Sequence, residues 1–319
     1  MKKVISIMIV NIFLIISAKC LLAELSKSIE VGIIPDIEFD TSIVNTKNLD
    51  EDYYGKFLKC VSLNTDNSRK KDLTEYLKGT LSDPLKNILR WSIKSSHSGS
   101  DNWQETSELT YGSPSIGTMI GYYVSVKIKD SSEISDRLIV VVVNSETATN
   151  FSNWFSQEEG DTAWLEELPA LYSNFLAELS DPEPEDCTNQ KWEEPKSKNT
   201  LFHPGASYEM RSLETENSHG HQACYNSTRN LITSGLGAGT ADRCHWSNMI
   251  ALQGCTHANS DVTPFIWAAQ LDGNPINQYG TTLTSPMLRQ GQHLNQYFLV
   301  RPIIANDKTN LNPDDCARE

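Results

Sequence analysis

The sequence predicts an α+β protein in two domains: an N-terminal α+β domain and a loop-rich, cysteine-containing C-terminal domain of mainly β or α+β character. Three observations carry this prediction. Strand-like and helix-like hydrophobic periods alternate through residues 73–179. The stretch 181–200, DPEPEDCTNQKWEEPKSKNT, is rich in Pro, Asp, Glu and Lys and nearly free of apolar residues, the composition of an extended acidic linker. Beyond it the chain lacks long periodic helices and carries most of the cysteines.

Taken in order, Lys2 and Lys3 precede an apolar run over 4–18 that is too short for a confident membrane span. Residues 1–23 therefore predict a cleaved signal peptide, cut after Cys20 or Ala23, and Lys19 disfavours acylation at Cys20. The N-terminal domain follows over 24–180. Ile33, Ile34, Ile37 and Phe39 form a candidate edge strand interrupted by Pro35. Residues 73–94 read as two helices, broken at Gly79 and restarted at Ser82 and Pro84. Residues 95–115 read as a polar loop. Val124, Val126 and Ile128 alternate, and 138–143 is a continuous aliphatic run of the kind buried on both faces, so the pair predicts a hairpin. Residues 164–179 read as an amphipathic helix kinked at Pro169.

After the linker comes a module over 201–319. Tyr225 and 231–233 predict a hairpin around the turn 226–230. The run SGLGAGTAD over 234–242 is neither a Walker nor a dinucleotide motif, and reads as a loop that lets backbone approach a ligand or another strand. Residues 261–271 predict a helix capped by Asp261, with Pro264 in its first turn and Gly273 past its end. Residues 294–304 read as the best strand of the module.

The formal charge of −14 repels phosphate backbones and excludes nucleic acid as a partner, leaving a protein or cell-envelope component. No stable membrane span remains once the signal is removed, and the expected location is secreted or periplasmic. Past the signal lie Cys60, Cys187, Cys224, Cys244, Cys255 and Cys316, an even set that predicts disulfides in an oxidising compartment. Pairing Cys187 with Cys316 would close the module at its two ends.

The densest set of reactive groups is HGHQAC. His219 and His221 are two apart, which on an extended segment points both imidazoles to one side. They can serve as catalytic base or ligands, with Cys224 either a thiol nucleophile or half of a disulfide. His293 is a further candidate base. Gln222, Asp242, Arg289 and Arg301 are candidate substrate contacts, the arginines because a guanidinium forks onto a carboxylate or phosphate. A His-x-His pair can also bind a metal with a third ligand from His245, His257, His293, Asp242 or Asp261. No HExxH or CxxC spacing is present, so no metal site is assigned and the cofactor is unknown.

The segments YEMR, GHQACYN, LITSG, GAGTAD, DVTPF and LNQYFLVRP together resemble a module found in C-terminal parts of secreted bacterial and polymorphic-toxin-like proteins. In that module the residues after the tyrosine often read Asp-x-x-Gly-Asn-Leu; here Asn226 and Asn230-Leu231 occupy that frame. The likeness spans about a third of the chain, residues 202–302, and brings no established chemistry with it. The expected function is an exported bacterial effector or toxin-like protein, a hydrolase with its site around HGHQAC. The alternative is a non-enzymatic, disulfide-stapled binding or assembly module.

Overall fold

The computed structural model describes residues 37–40, 45–46, 59–66, 68–79, 83–95, 104–131, 133–175, 192–193, 203, 205–235, 237–248, 255–276 and 290–304. The expected signal peptide, Cys187, Cys316, Arg289 and all of the expected linker but Trp192 and Glu193 lie outside these residues. Helices and mixed sheets occur together, as an α+β chain requires.

The first half builds a mixed five-stranded sheet from β1 (Asn45–Thr46), β2 (Lys59–Asn64), β4 (Leu89–Ser95), β6 (Met119–Ile128) and β7 (Asp136–Val143), in the order β1-β2-β7-β6-β4. A small ribbon pairs β3 (Lys70–Asp72) with β5 (Glu108–Thr110). The expected hairpin is present as β6–β7, with Val124 opposite Leu138. The aliphatic run from Leu138 to Val143 is fully buried, because both faces of β7 are covered. On one face Leu138, Val140 and Val142 pack with Val124, Val126, Trp91, Ile93, Leu73, Leu109 and Phe39. On the other, Ile139, Val141 and Val143 pack under three helices: α2 (Ser145–Glu158), α3 (Thr263–Leu271) and α4 (Gln292–Val300).

Phe151 of α2 sits in this second core with Phe265, Ile266, Ala268 and Ala269 of α3 and Leu294 and Tyr297 of α4. Residues on both sides of 181–200 thus share one core. Gly273 (φ +81°), just past α3, brings its backbone against β2, where a Cβ would lie 3.1 Å from Ser62 N and from Val61 C. That conformation and that approach both require glycine.

The second half adds a four-stranded sheet, β11-β10-β9-β8, from β8 (Trp192–Glu193), β9 (Tyr208–Ser212), β10 (Gly220–Tyr225) and β11 (Ala241–Asp242). Trp192 pairs with Ser212, so part of the expected linker is a strand of this sheet.

Several element expectations are corrected. Among residues 73–94 the described ones form a 3-10 turn (Leu73–Tyr76), a short helix α1 (Asp83–Ile88) and then strand β4, whose Leu89, Trp91 and Ile93 alternate inward; the apolar set fits either period, and pairing with β6 decides it. Of residues 164–179, the described part, 164–175, holds a 3-10 turn (Ala163–Glu167) and no amphipathic helix; 176–179 lie outside the described residues. Pro169 cannot continue a helix, and Asn174 instead bridges Asn230. Residues 294–304 form helix α4, not a strand: Leu294, Tyr297 and Val300 are buried at three-residue spacing. The candidate edge strand is reduced, among the described residues, to one bridge between Phe39 and Leu77. The helix expected over 261–271 is present, with Pro264 in its first turn, but Asp261 lies inside a preceding π turn (Ala258–Val262) and does not cap it. Tyr225 bridges Leu231 across the expected turn, where Asn226 Oδ1 accepts from Thr228 N and Asn230 N.

Candidate functional site

All six residues of β10, GHQACY, are buried. The strand is clamped between β9, where Cys224 pairs with Glu209, and β11, where Gly220 pairs with Asp242. The glycine run explains one side of this burial. Gly239 lies so close to β10 that a Cβ would stand 2.1 Å from the Gln222 carbonyl oxygen. The loop approaches a strand of the protein itself.

The two histidines do face one side, and they meet the 163–169 segment. His219 packs on Trp164 with centroids 5.1 Å apart, and its Nδ1 donates to Arg243 O at 2.6 Å. His221 Nε2 donates to Ile303 O at 3.0 Å, and burial pushes its pKa down to about 4, so the imidazole is neutral at pH 7. Both are engaged with main-chain carbonyls.

The opposite face carries Gln222 and Cys224. Gln222 Nε2 donates to Glu209 Oε2 at 3.0 Å, and its Oε1 meets His203 Nε2 at 2.9 Å. His203 Nδ1 meets Ala238 O at 2.8 Å, and burial holds that imidazole at about 4 as well. Cys224 is a free, buried thiol, not a disulfide half. Burial, with the Glu209 carboxylate beside it, pushes its pKa far up and keeps it protonated. A protonated thiol with no exposed surface is not a nucleophile, so the expected catalytic role of Cys224 is corrected. Among the described residues a disulfide joins Cys244 to Cys255.

His293 stands apart. It opens α4, where Asp272 Oδ1 accepts from its Nδ1 at 3.0 Å and its ring edge meets Phe151. His221 instead reaches Ile303, past the far end of the helix that His293 opens. The candidates do not gather at one centre: His219 and His221 bond to Arg243 O and Ile303 O, Cys224 lies on the other face of β10, and His293 bonds to Asp272.

Arg301 is corrected too. It does fork onto carboxylates, but they belong to the protein. Its Nε donates to Asp261 Oδ1 at 2.6 Å, Nη1 to Glu158 Oε2 at 3.0 Å and Nη2 to Ser260 O at 3.2 Å. The guanidinium is fully buried between Trp154 and Trp164, 5.3 and 5.4 Å from their centroids. Asp261 also accepts from Arg243 N and Cys244 N, both at 3.0 Å.

Beside this clamp lies a group that sequence spacing did not assemble: Asp242, His257 and Asp261, whose ligating atoms all fall within 4.8 Å of one another. His257 and Asp261 are four apart on one helical turn, a spacing that could have pointed to them in the sequence. His257 Nδ1 is 3.4 Å from Asp261 Oδ2 and 4.0 Å from Asp242 Oδ2. Burial lowers the His257 pKa, but the carboxylates of Asp242 and Asp261 outweigh it and raise it overall. Burial also works to raise Asp261, yet the hydrogen bond from His257 and the charge of Arg301 hold it below the usual carboxylate range. For Asp242 burial prevails over the opposing His257 charge, and its pKa rises to about 6.

Comparison with family models, curated proteins and solved structures gave no match. Among the described residues no helix is long and apolar enough to cross a membrane.

Proposed function

We propose that this is an exported bacterial protein whose C-terminal module is a disulfide-stapled binding or assembly unit, and not a hydrolase working at HGHQAC. One observation carries the reading: β10 is interior along its whole length, with His221 and Gln222 on it and His219 just before it hydrogen-bonded to the protein itself and the Cys224 thiol buried. A catalytic base or nucleophile must reach a substrate atom within hydrogen-bond distance. The Cys244–Cys255 bridge supports an oxidising compartment, in line with the signal-like N-terminus and the likeness to secreted, toxin-like modules.

Two measurements test this. Cell fractionation should place the tagged full chain outside the cytoplasm with a shortened N-terminus; an intact chain in the cytosol would refute export. A Cys224→Ala chain that stays folded should keep whatever activity towards target cells the native chain displays; a folded variant without it would overturn the binding reading. The hydrolase reading retains one specific foothold, His293, which the buried Asp272 orients through Nδ1 in the manner of a base held by a carboxylate. Loss of a measured hydrolysis in His293→Ala, with the fold intact, would favour it.

A further inference from the structure

Asp242 and Asp261 are buried side by side, half-buried Glu158 is joined to them through Arg301, and that one guanidinium answers only one of the three negative charges. Arg211 is engaged with Glu209, 3.6 Å away. Two negative charges are left. The carboxylate of Asp242 is especially exposed to this imbalance. Asp242 is 3% accessible, yet among the described residues no group donates a hydrogen bond to it, and its nearest partner is His257 Nδ1 at 4.0 Å. Buried carboxylates are ordinarily paired, hydrogen-bonded or bound to a metal.

We propose that Asp242, His257 and Asp261, with the main-chain carbonyl of Cys244, bind a divalent cation of the zinc class. His257 Nδ1 lies 3.1 Å from Cys244 O and 3.4 Å from Asp261 Oδ2. Tetrahedral zinc with N and O ligands at about 2.0–2.2 Å places its donors roughly 3.3–3.6 Å apart. The two spacings from His257 Nδ1, to Cys244 O and to Asp261 Oδ2, already stand near this range, and the ligating atoms of Asp242, His257 and Asp261 all lie within 4.8 Å of one another, so Asp242 draws inward to complete the set.

The charge accounts for the ion. A divalent cation beside a neutral imidazole supplies the two positive charges this place lacks, whereas an imidazolium at His257 supplies one. The local backbone is also built for it. The π turn widens the helix start just where Asp261 projects, one turn after His257, and such turns recur at functional sites. The Cys244–Cys255 bridge ties the carbonyl donor to the segment leading into His257. Asp261 keeps Oδ1 for Arg301 and offers Oδ2 to the cation, so the clamp orients the ligand. The ion would join β11, the stapled loop and the start of α3. This is a structural role, and it does not depend on the proposed binding function.

The test uses the full oxidised chain, prepared without a histidine tag. Elemental analysis should find one zinc ion per chain. Stripping with a chelator should lower Tm, and ZnCl2 should restore it. Co2+ added to the stripped chain should give the visible absorption bands of a tetrahedral site. Asp242→Asn and His257→Gln should each weaken Zn2+ by roughly 100-fold or more. Because a variant can fail to fold, the stripped native chain is the decisive sample: no stoichiometric uptake of Zn2+ or Co2+, with Tm unmoved by either, overturns the site and leaves His257 as the cation of the cluster. Folded variants that keep full zinc occupancy overturn it as well.

Discussion

Replacing Arg301 with Ala should be among the most damaging single changes in this chain. The substitution leaves Asp261 wholly buried and Glu158 half-buried without their cation, and it empties the slot between Trp154 and Trp164. Removing one member of a buried ion pair costs about 3–5 kcal/mol. Each desolvated cation–π contact adds about 1–2 kcal/mol, part of which the same truncation already counts. A total near 5 kcal/mol is a third or more of the roughly 5–15 kcal/mol that holds a typical domain folded. Urea unfolding followed by tryptophan fluorescence reads this directly, because the two indoles flank the lost group. With a slope of about 3 kcal/mol per molar urea, the midpoint should fall by about 1.5 M. Arg301→Lys, which keeps the charge but not the fork, should lose about half as much. Pairing Arg301→Met with Asp261→Asn should cost less than the two single changes added together, since each then removes a charge the other no longer needs. A midpoint shift below about 0.3 M for Arg301→Ala would refute the clamp.

Gly239→Ala should destabilise by about 3 kcal/mol in the same assay, because its Cβ would overlap the Gln222 carbonyl and force β10 and the loop apart; a change under about 1 kcal/mol would show that the loop yields freely. Reducing the Cys244–Cys255 bridge frees an 11-residue separation and should lower stability by about 3 kcal/mol, seen as a fall in Tm with a thiol reductant; Tm unmoved by reduction would sink this. His221, held at about 4 when folded against roughly 6.5 when unfolded, contributes stability that is present above about pH 6.5 and lost as pH falls through 4, by roughly 3 kcal/mol. His203 acts in the same direction over the same window. His221→Gln should therefore flatten the decline between pH 6.5 and 4, and an unchanged slope would contradict the neutral, buried imidazole.

Local pattern served well where one period and one environment coincide. The run from Leu138 to Val143 reads as a doubly buried strand and is one, and Pro264 with Gly273 frames α3 correctly. It misled where two readings share the same residues. Leu294, Tyr297 and Val300 carry a helical spacing inside a segment whose aromatic and β-branched content favours a strand, and packing on β7 selects the helix. The α2 helix was not anticipated, since Phe151, Trp154 and Phe155 sit in an otherwise polar stretch and Asn144, whose side chain accepts from Glu146 N, is the clearest marker of its start. At the site, His-x-His gave the right geometry but not its meaning. Alternation fixes which side an imidazole faces, and says nothing of whether that side meets solvent or the 163–169 segment. Asp242 and Asp261 lie far apart in sequence and meet only through the pairing of β10 with β11 and the turn after Cys255, which no local signal encodes.

The shared core under the helices has a consequence for the order of events in the cell. Arg301 closes on Glu158 across 143 residues, and α3 and α4 cover a sheet completed far earlier in the chain. Contacts of such long sequence separation are slow to form. While the polypeptide is being made, β7 and Phe151 have no lid, and their partners have not left the ribosome. The core over β7 can therefore close only after α3 and α4 have been made, and until then that aliphatic face stays uncovered.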